Sequence, residues 1–193
     1  IAVTVSYGMG ENYEKLKAHC QEHAIEYEVY DTNIYDIAED KIRKNSSFCS
    51  FFSRMRRGSL YSAAEKYGCN KVALGHHMDD AAESFFMNFI YNGQLRSLAP
   101  KYKADRGVTV IRPLIQMRER QLLAFVQENE IETIGDEACP SMRFDIKMPH
   151  ARAHTKEMLS KMEKEFPTLF TSLNASFKNI STESFFDKEL FQL

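Results

Sequence analysis

Histidines and carboxylates crowd one short stretch of the chain. The stretch runs from Gly75 to Ser84, and it contains His76, His77, Asp79, Asp80 and Glu83. Two histidines and three carboxylates this close together can ligate a metal ion, move protons or hold a nucleotide. The stretch lies where an apolar strand is predicted to give way to an amphipathic helix. Ligands bind at such junctions in α/β folds, because free backbone N–H groups at a helix start attract phosphate.

The chain around this stretch reads as strands alternating with helices. We predict strands at Ile1–Ser6, Ile25–Tyr30, Lys71–His76 and Val108–Arg112, with a short extended segment at Glu132–Ile134. We predict helices at Glu11–Ala24, Ile34–Ile42, Ser50–Tyr67, Asp79–Tyr91 and Met117–Asn129. This alternation implies parallel strand pairing with right-handed crossovers. The predicted fold class is therefore α/β, a three-layer sandwich with a parallel Rossmann-like sheet.

The pattern changes after Gly135, and we predict two parts. Residues 1–135 form the α/β domain, in which Lys71–His76 is a buried strand. Residues 136–193 form a helical carboxyl-terminal appendage, whose helices are expected at His150–Glu165 and Pro167–Ile180. We also expect core packing for two apolar groups: Phe85, Phe86 and Phe89, and Leu122, Leu123 and Phe125.

Bulk properties exclude several classes of protein. The 193 residues are 44% hydrophobic, which suits one medium domain with a real core, and the net charge of −2 indicates no globally basic nucleic-acid binder. No apolar run approaches the roughly 20 residues of a membrane span, and the start does not resemble a signal peptide. The cysteines are widely spaced and are expected to be thiols or metal ligands: Cys20, Cys49, Cys69 and Cys139. We expect a cytoplasmic protein whose amino-terminal part lies before Ile1.

Each candidate residue also has a structural interpretation. Asp79 and Asp80 suit the first turn of a helix, where they cap it and complement its dipole. His76 and His77 beside them favour a nucleotide or Mg²⁺ role over zinc, since no cysteine lies nearby. Several basic residues would lie on solvated surfaces or contact phosphates on one local face: Arg54, Arg56, Arg57, the loop of Lys101, Lys103 and Arg106, and Arg143, Lys147, Arg152 and Lys156.

The stretch from Gly75 to Ser84 resembles the Gly-His-His-x-Asp-Asp-x-x-Glu-Ser element of the PP-loop ATP pyrophosphatases. The segment from Cys49 to Tyr61 resembles the cysteine- and arginine-rich helix of the tRNA 2-thiocytidine synthetase (TtcA-like) family. Further matching residues are Ile111, Arg112, Pro113, Leu114, Arg118, Glu119, Cys139, Pro140, Arg152 and Lys156. The resemblance covers about Ile1 to Ile180 and implies a HUP-type (adenine nucleotide alpha hydrolase-like) fold.

The resemblance implies a reaction. ATP and Mg²⁺ would adenylate a tRNA base carbonyl, at cytidine C2, with release of pyrophosphate, and sulfur would then displace AMP. It assigns catalysis to Asp79, Asp80, Cys49 and Cys139, and ATP binding to Gly75, His76, His77, Glu83, Arg54 and Arg57. In that family three cysteines hold a [4Fe–4S] cluster, which leaves one iron open. The implied partners are tRNA, a sulfur donor such as a cysteine desulfurase, and a second copy in a homodimer.

The chain departs from the family pattern at two places. The phosphate loop Ser-Gly-Gly-x-Asp-Ser is expected upstream of Ile1, and Ser6–Gly10 is interpreted as an ordinary loop rather than its substitute. Phe52 stands at the second cluster cysteine, so only Cys49 and Cys139 match cluster ligands. A [4Fe–4S] cluster and a disulfide or persulfide relay between these two cysteines both remain open.

Three hypotheses follow from the sequence. The leading one is an ATP-dependent enzyme that thiolates a tRNA cytidine through an adenylated intermediate. The second is a PP-loop ligase or thiolase that acts on another base or on a small molecule, which the substitution at Phe52 motivates. The third is a nucleotide- or RNA-binding module that kept the fold and lost the chemistry.

Overall fold

The structure is a computed structural model that describes residues 1–8, 10–35, 37, 48–104, 106–133 and 150–184. The side chains of residues 48–50 and 150 are not part of the description. Predictions for Cys139, Arg143, Lys147 and the domain boundary at residues 135 and 136 therefore lie outside the described residues, as does the side chain of Cys49. That boundary stays a prediction.

Helices and strands alternate along the described chain, as the sequence predicts. The strands are β1 (Ala2–Val5), β2 (Tyr27–Tyr30), β3 (Lys71–Ala73), β4 (Lys101–Lys103) and β5 (Thr109–Ile111). The helices are α1 (Glu14–Glu22), α2 (Phe48–Lys66), α3 (Met78–Asn92), α4 (Glu119–Glu128), α5 (His150–Glu165) and α6 (Leu169–Ser176), with a 3-10 turn at Thr182–Ser184. None of the described helices is long and apolar enough to cross a membrane.

The strands form two sheets in the described part of the chain. β1 pairs with β2 in parallel, with Ala2 opposite Tyr27, and β3 pairs with β5 in parallel, with Val72 opposite Val110. Helix α2 contacts both β1 and β3, so it spans the two sheets. The predicted α/β fold with parallel pairing is confirmed, because both parallel pairs are joined through intervening helices.

Three predictions about the strands and loops were wrong. The predicted basic loop at Lys101 and Lys103 is strand β4, which pairs antiparallel with β5 and places Tyr102 opposite Val110. The predicted extended segment at Glu132–Ile134 forms no strand in its two described residues, Glu132 and Thr133. Strand β3 is not buried either: Lys71 and Ala73 are exposed, because among the described strands β3 is paired along one edge only.

Two clusters of buried side chains can be distinguished in the core of the described residues. The first contains Val5 of β1, Phe52 of α2, and Ile34, which follows β2. The second joins Met78 and Ala82 of α3 to Leu159 of α5 and Phe170 of α6, so both carboxyl-terminal helices pack directly on the helix that starts at the acidic stretch. Burying such side chains stabilises the fold by about 1.5–3 kcal/mol each. The predicted appendage therefore fixes α3 in place.

Candidate functional site

The acidic stretch forms a turn between β3 and α3. The N–H of Leu74 donates to the carbonyl of Ile111 at 2.9 Å, and the N–H of Met78 donates to the carbonyl of Met117 at 2.8 Å. The turn is thus attached to the segment that follows β5. Gly75 is exposed, and no atom lies where a Cβ would stand. Open space therefore adjoins the backbone at the carboxyl ends of two parallel strands, which is where α/β folds bind ligands.

Asp80 closes the first turn of α3. His77 is the N-cap, with extended dihedral angles (φ −120°, ψ −176°), and its N–H donates to Oδ2 of Asp80 at 3.0 Å. A carboxylate at the third helical position that accepts from the N-cap N–H satisfies a donor the helix leaves unpaired. The predicted capping role of this aspartate is confirmed. The same contact fixes the backbone of the Gly75–His77 turn.

Asp79 is held by a guanidinium. Arg118 donates to the Asp79 carboxylate at 3.0–3.2 Å and to the Glu163 carboxylate at 2.7 and 3.0 Å. The N–H of Glu119 adds a bond to Asp79 at 2.7 Å. The guanidinium carbon also lies 3.3 Å from the ring centroid of Phe170. This arginine therefore joins α3, α4, α5 and α6, and we call Asp79, Arg118 and Glu163 the arginine latch.

Arg152 of α5 makes a second connection to the acidic stretch. Its Nε donates to Glu83 and its Nη2 donates to Asp80, both at 2.8 Å. Glu83 is buried, with 6% of its surface exposed, so its charge depends on this partner. All three carboxylates of the stretch are thus neutralised by arginines from elsewhere in the chain.

Three buried polar atoms around the turn lack a hydrogen bond, although Nδ1 of His77 lies 3.7 Å from Oδ2 of Asp79. Nδ1 of His76, Nδ1 of His77 and Nε of Arg112 are buried, and within the described part of the chain none of them has a hydrogen bond. Buried polar groups are nearly always paired, so unpaired ones call for an explanation. They follow β3 and β5, the two parallel strands whose carboxyl ends meet here. A bound ligand would supply the missing partners.

His76 stands in a positively charged environment. Burial is the main cause that lowers the pKa of His76, against the opposing effect of Asp80. The charges of Arg112, Arg56 and Arg152 lower this pKa further. The charges of these three arginines at His76 favour a phosphate or another anion beside it.

Arg112 also supports the edge of the sheet. Its Nη1 donates to the carbonyl of Ala99, its N–H donates to the carbonyl of Pro100 at 2.8 Å, and its guanidinium lies 5.3 Å from the ring of Tyr102. The hydroxyl groups of Tyr102 and Tyr61 lie 3.1 Å apart. Burial, followed by the Tyr102 hydrogen bond, raises the pKa of Tyr61 to about 12. Sequence reasoning placed Arg112 in a matching element without giving it this role.

The three carboxylates do not suit Mg²⁺ coordination as they stand. Arginines and backbone N–H groups already occupy the oxygens of Asp79 and Asp80, and Arg152 occupies Glu83. Mg²⁺ in nucleotide sites is bound by one or two carboxylates together with the substrate phosphates. We therefore assign these three carboxylates no Mg²⁺ ion.

Arg54 and Arg57 lie on the surface of α2, where the sequence placed them. Both are exposed, as is Arg56, and none of the three makes an ion pair with another described residue. Only Arg56 influences the pKa of His76. Of these three arginines, Arg56 is therefore the one whose charge acts at the acidic turn, and the resemblance had not singled it out for ATP. Arg54 and Arg57 remain predicted contacts for phosphate.

The loop after β1 is an ordinary loop in its described residues. The N–H of Tyr7 donates to Oε1 of Glu11 at 2.7 Å, and the N–H of Gly8 donates to Oγ of Ser6 at 3.2 Å. A carboxylate therefore occupies a donor that a phosphate would require. Gly8 has a φ of 83°, and a Cβ there would lie 3.0 Å from the carbonyl oxygen of Thr32. This glycine serves the turn, which agrees with the predicted ordinary loop.

The ligand set does not fit a cluster held by three cysteines. Phe52, at the second cysteine position of the family, is 5% exposed and packs edge-on against Tyr7 at 5.5 Å. It belongs to the core and cannot ligate iron. Cys20 is buried in α1 and Cys69 follows α2, so neither cysteine takes the position of the ligand that Phe52 replaces. We derive no chemical step through a [4Fe–4S] cluster.

Sequence reasoning missed the arginine latch. Arg118 was recognised only as part of a matching element, and nothing marked Glu163 as the partner of an aspartate 84 positions before it in the chain. The available signal was local: Arg118 lies at the start of the predicted helix Met117–Asn129, and arginine forms bidentate pairs with carboxylates readily. The partner choice depends on how α5 packs on α3.

Acid should destabilise the protein through the latch. Burial alone would raise the pKa of Asp79, but the bonds from Arg118 and the N–H of Glu119 outweigh it and hold that pKa below its usual value. The Arg118 hydrogen bond likewise lowers the pKa of Glu163. The unfolded chain then binds more protons, so this stability is present above about pH 4 and is lost as pH falls below it. Urea unfolding at pH 7, 5, 4 and 3 measures this, and equal stability at all four would contradict it.

Known proteins match this chain over most of its length. Residues 1–148 match the PP-loop domain family. The tRNA-cytidine(32) 2-sulfurtransferase of Geobacter metallireducens is 38% identical over 98% of this chain and 73% of its own length. The protein of the same name from Geobacter sulfurreducens is 36% identical over 100% of this chain and 74% of its own length.

A solved structure has a similar fold. The U34-tRNA thiolase NcsA from Methanococcus maripaludis, determined with its [4Fe-4S] cluster, superposes with a TM-score of 0.72. The match covers 92% of this chain and 59% of the other, at 22% sequence identity. At this identity the likeness concerns the fold alone, and it confirms the predicted Rossmann-like α/β class.

Proposed function

The chain belongs to the PP-loop domain family, and we propose that it is an ATP-dependent enzyme that replaces a tRNA base oxygen with sulfur. The observation that carries the proposal is the set of three unpartnered buried atoms, on His76, His77 and Arg112, at the carboxyl ends of β3 and β5. ATP phosphates at this point would be met by His76 and by the charges of Arg56, Arg112 and Arg152.

The proposed reaction has two steps. The oxygen of a base carbonyl, at cytidine C2, attacks the α-phosphorus of ATP, and the bond to pyrophosphate breaks. A sulfur nucleophile then attacks the activated carbon, and AMP leaves with the former carbonyl oxygen. Activation is required because a pyrimidine carbonyl is a poor electrophile and oxide is a poor leaving group. The relatives' name, tRNA-cytidine(32) 2-sulfurtransferase, supports cytidine as the base.

The acidic residues organise this site in the proposal. Asp80 holds the backbone of the Gly75–His77 turn, and Asp79 fixes the start of α3 through Arg118. Glu83 positions Arg152 beside His76. Lowering the pKa of His76 keeps its imidazole neutral, so its unpartnered Nδ1 can accept or donate one hydrogen bond at the ligand.

For the sulfur step we propose the cysteine pair that the sequence suggests, Cys49 and Cys139. A persulfide on one cysteine attacks the adenylated carbon and AMP leaves. The thiolate of the other then attacks the inner sulfur, which leaves the thiocarbonyl on the base and a disulfide between the cysteines. A cellular thiol reductant restores the pair. The buried Phe52 supports a relay of this kind over a three-cysteine cluster.

The remaining assignments follow from the substrate. A donor such as a cysteine desulfurase would supply the persulfide sulfur, and the cytoplasm is the compartment proposed for a tRNA-modifying enzyme. The exposed arginines on α2, Arg54 and Arg57, are proposed to contact tRNA phosphates. A homodimer is proposed by analogy with the TtcA-like family.

A product assay tests the proposed function. The full-length gene product, incubated with MgATP, tRNA and a persulfide donor, should form AMP, pyrophosphate and 2-thiocytidine. Formation of ADP and phosphate would contradict the adenylation step, and thiolation of a different base would support the second hypothesis of another PP-loop substrate. Binding of tRNA and ATP without AMP would support the binding-module hypothesis. Cys49→Ser and Cys139→Ser should still form AMP but no thiolated base.

A further inference from the structure

A second cluster of chemistry-bearing side chains lies on α1, away from the acidic turn. His19, Glu22 and His23 each place one ligand atom so that all three atoms lie within 4.8 Å of one another. Residues three and four apart on a helix occupy one face, which explains why the last turn of α1 brings them together. The imidazole rings of His19 and His23 lie 4.5 Å apart between centroids.

We propose that His19, Glu22 and His23 form a surface site for a divalent transition metal ion, with Zn²⁺ as the best fit. Two imidazole nitrogens and one carboxylate oxygen match the ligand types of three-ligand zinc sites. In the described part of the chain, no hydrogen bond or ion pair engages the carboxylate of Glu22. It can therefore turn toward a metal without breaking another contact.

The end of the helix favours a cation here. Glu22 is the last residue of α1 and His23 is its C-cap, so the ligands surround the negative end of the helix dipole. Lys15, one turn before His19, pairs with Glu132 at 3.2 Å, which offsets its repulsion of a metal ion. Cys20 is 7% exposed and packs in the interior, so the site is built from nitrogen and oxygen donors.

The surface position determines what the site can do. His23 and Glu22 are exposed and His19 is half-buried, so a metal ion there keeps at least one coordination position open to water or an external ligand. Binding would connect the end of α1 to the turn at Ala24, whose φ is 53°, just before β2. A metal ion would thereby stabilise the start of the first parallel strand pair, to the extent that it binds the folded arrangement more tightly than the unfolded chain.

Isothermal titration of the full-length protein with Zn²⁺, under reducing conditions, tests the proposal. We use Cys49→Ser/Cys139→Ser as the common background, so that this thiol pair does not compete for zinc. In this otherwise unmodified protein we expect one zinc-binding event that His19→Gln/His23→Gln weakens at least tenfold. His154→Gln is the matched control, because His154 is an exposed helical histidine with a second histidine, His150, four positions away. Histidine-selective NMR should show zinc-dependent shifts of His19 and His23 and none of His154.

Two outcomes would overturn the metal site. The first is a double variant that binds Zn²⁺ as tightly as the unmodified protein, and the second is loss of the binding event in His154→Gln. Circular dichroism of the metal-free double variant should be unchanged, because neither ring contributes to the two core clusters. An increase in melting temperature with Zn²⁺, absent in the double variant, is the independent readout.

Discussion

Replacement of Arg118 by alanine should destabilise the protein by about 3–5 kcal/mol, the cost of leaving buried charges unpaired. The arginine side chain is 13% exposed and Asp79 is 15% exposed, so water cannot replace the lost guanidinium. Glu163 loses its partner at the same time, and Phe170 loses the cation over its ring. The contact between α3 and the carboxyl-terminal helices would weaken. The melting temperature should fall by about 6 °C or more.

A matched control lies two residues away. Arg120 is 71% exposed and reaches Glu163 at 3.6 Å, so Arg120→Ala should change stability by less than about 0.5 kcal/mol. The double variant Arg118→Ala/Asp79→Asn should recover part of the loss, because it removes one of the carboxylates left unpaired. Denaturant unfolding of the three variants gives the comparison. Equal stability of Arg118→Ala and Arg120→Ala would show that the arginine latch does not hold the helices.

The order of elements could be predicted from the sequence because local signals specify it. Apolar runs followed by glycine, as at Lys71–Ala73 and Gly75, marked both strand β3 and the turn that follows it. Helix α5 was predicted with the bounds that the structure has, His150–Glu165. Strand β4 was missed because Lys101 and Lys103 flank a single tyrosine, and three residues of alternating polarity resemble a solvated loop.

Burial was predicted less well, since periodicity does not specify what covers a face. Phe85 and Phe86 contact core side chains, as expected, but Phe89 is 54% exposed. Leu123 and Phe125 were also predicted to be core, and they are 54% and 57% exposed. No described element packs over these side chains of α4. An amphipathic pattern identifies the apolar face of a helix, and only the tertiary arrangement decides whether that face is buried.

The same distinction holds at the candidate site. The residues of the acidic stretch could be recognised from their types and spacing, and the capping role of Asp80 follows from its position three residues after His77. Their partners could not be predicted. Arg152 lies 69 positions after Glu83, and contacts at such separations depend on how α5 lies on α3.

Replacement of Asp80 by asparagine should reduce AMP formation about 100-fold or more. The Asp80 carboxylate accepts from the N–H of His77 at 3.0 Å and from Arg152 at 2.8 Å. An asparagine amide keeps one acceptor oxygen and presents a donor in place of the other, so one of these contacts becomes repulsive. Either His77 or Arg152 must then move, and misplacement by about 1 Å in an active site costs on the order of 100-fold.

The decisive comparison is between rate and stability in the same variant. Because asparagine is nearly isosteric with aspartate and keeps an acceptor oxygen for the N-cap N–H, the loss of stability should stay below about 2 kcal/mol. Glu157→Gln makes the same carboxylate-to-amide change in an exposed pair with Lys161 on α5, and it should leave both AMP formation and melting temperature unchanged. An Asp80→Asn variant that formed AMP at the normal rate would remove the acidic turn from the ATP site.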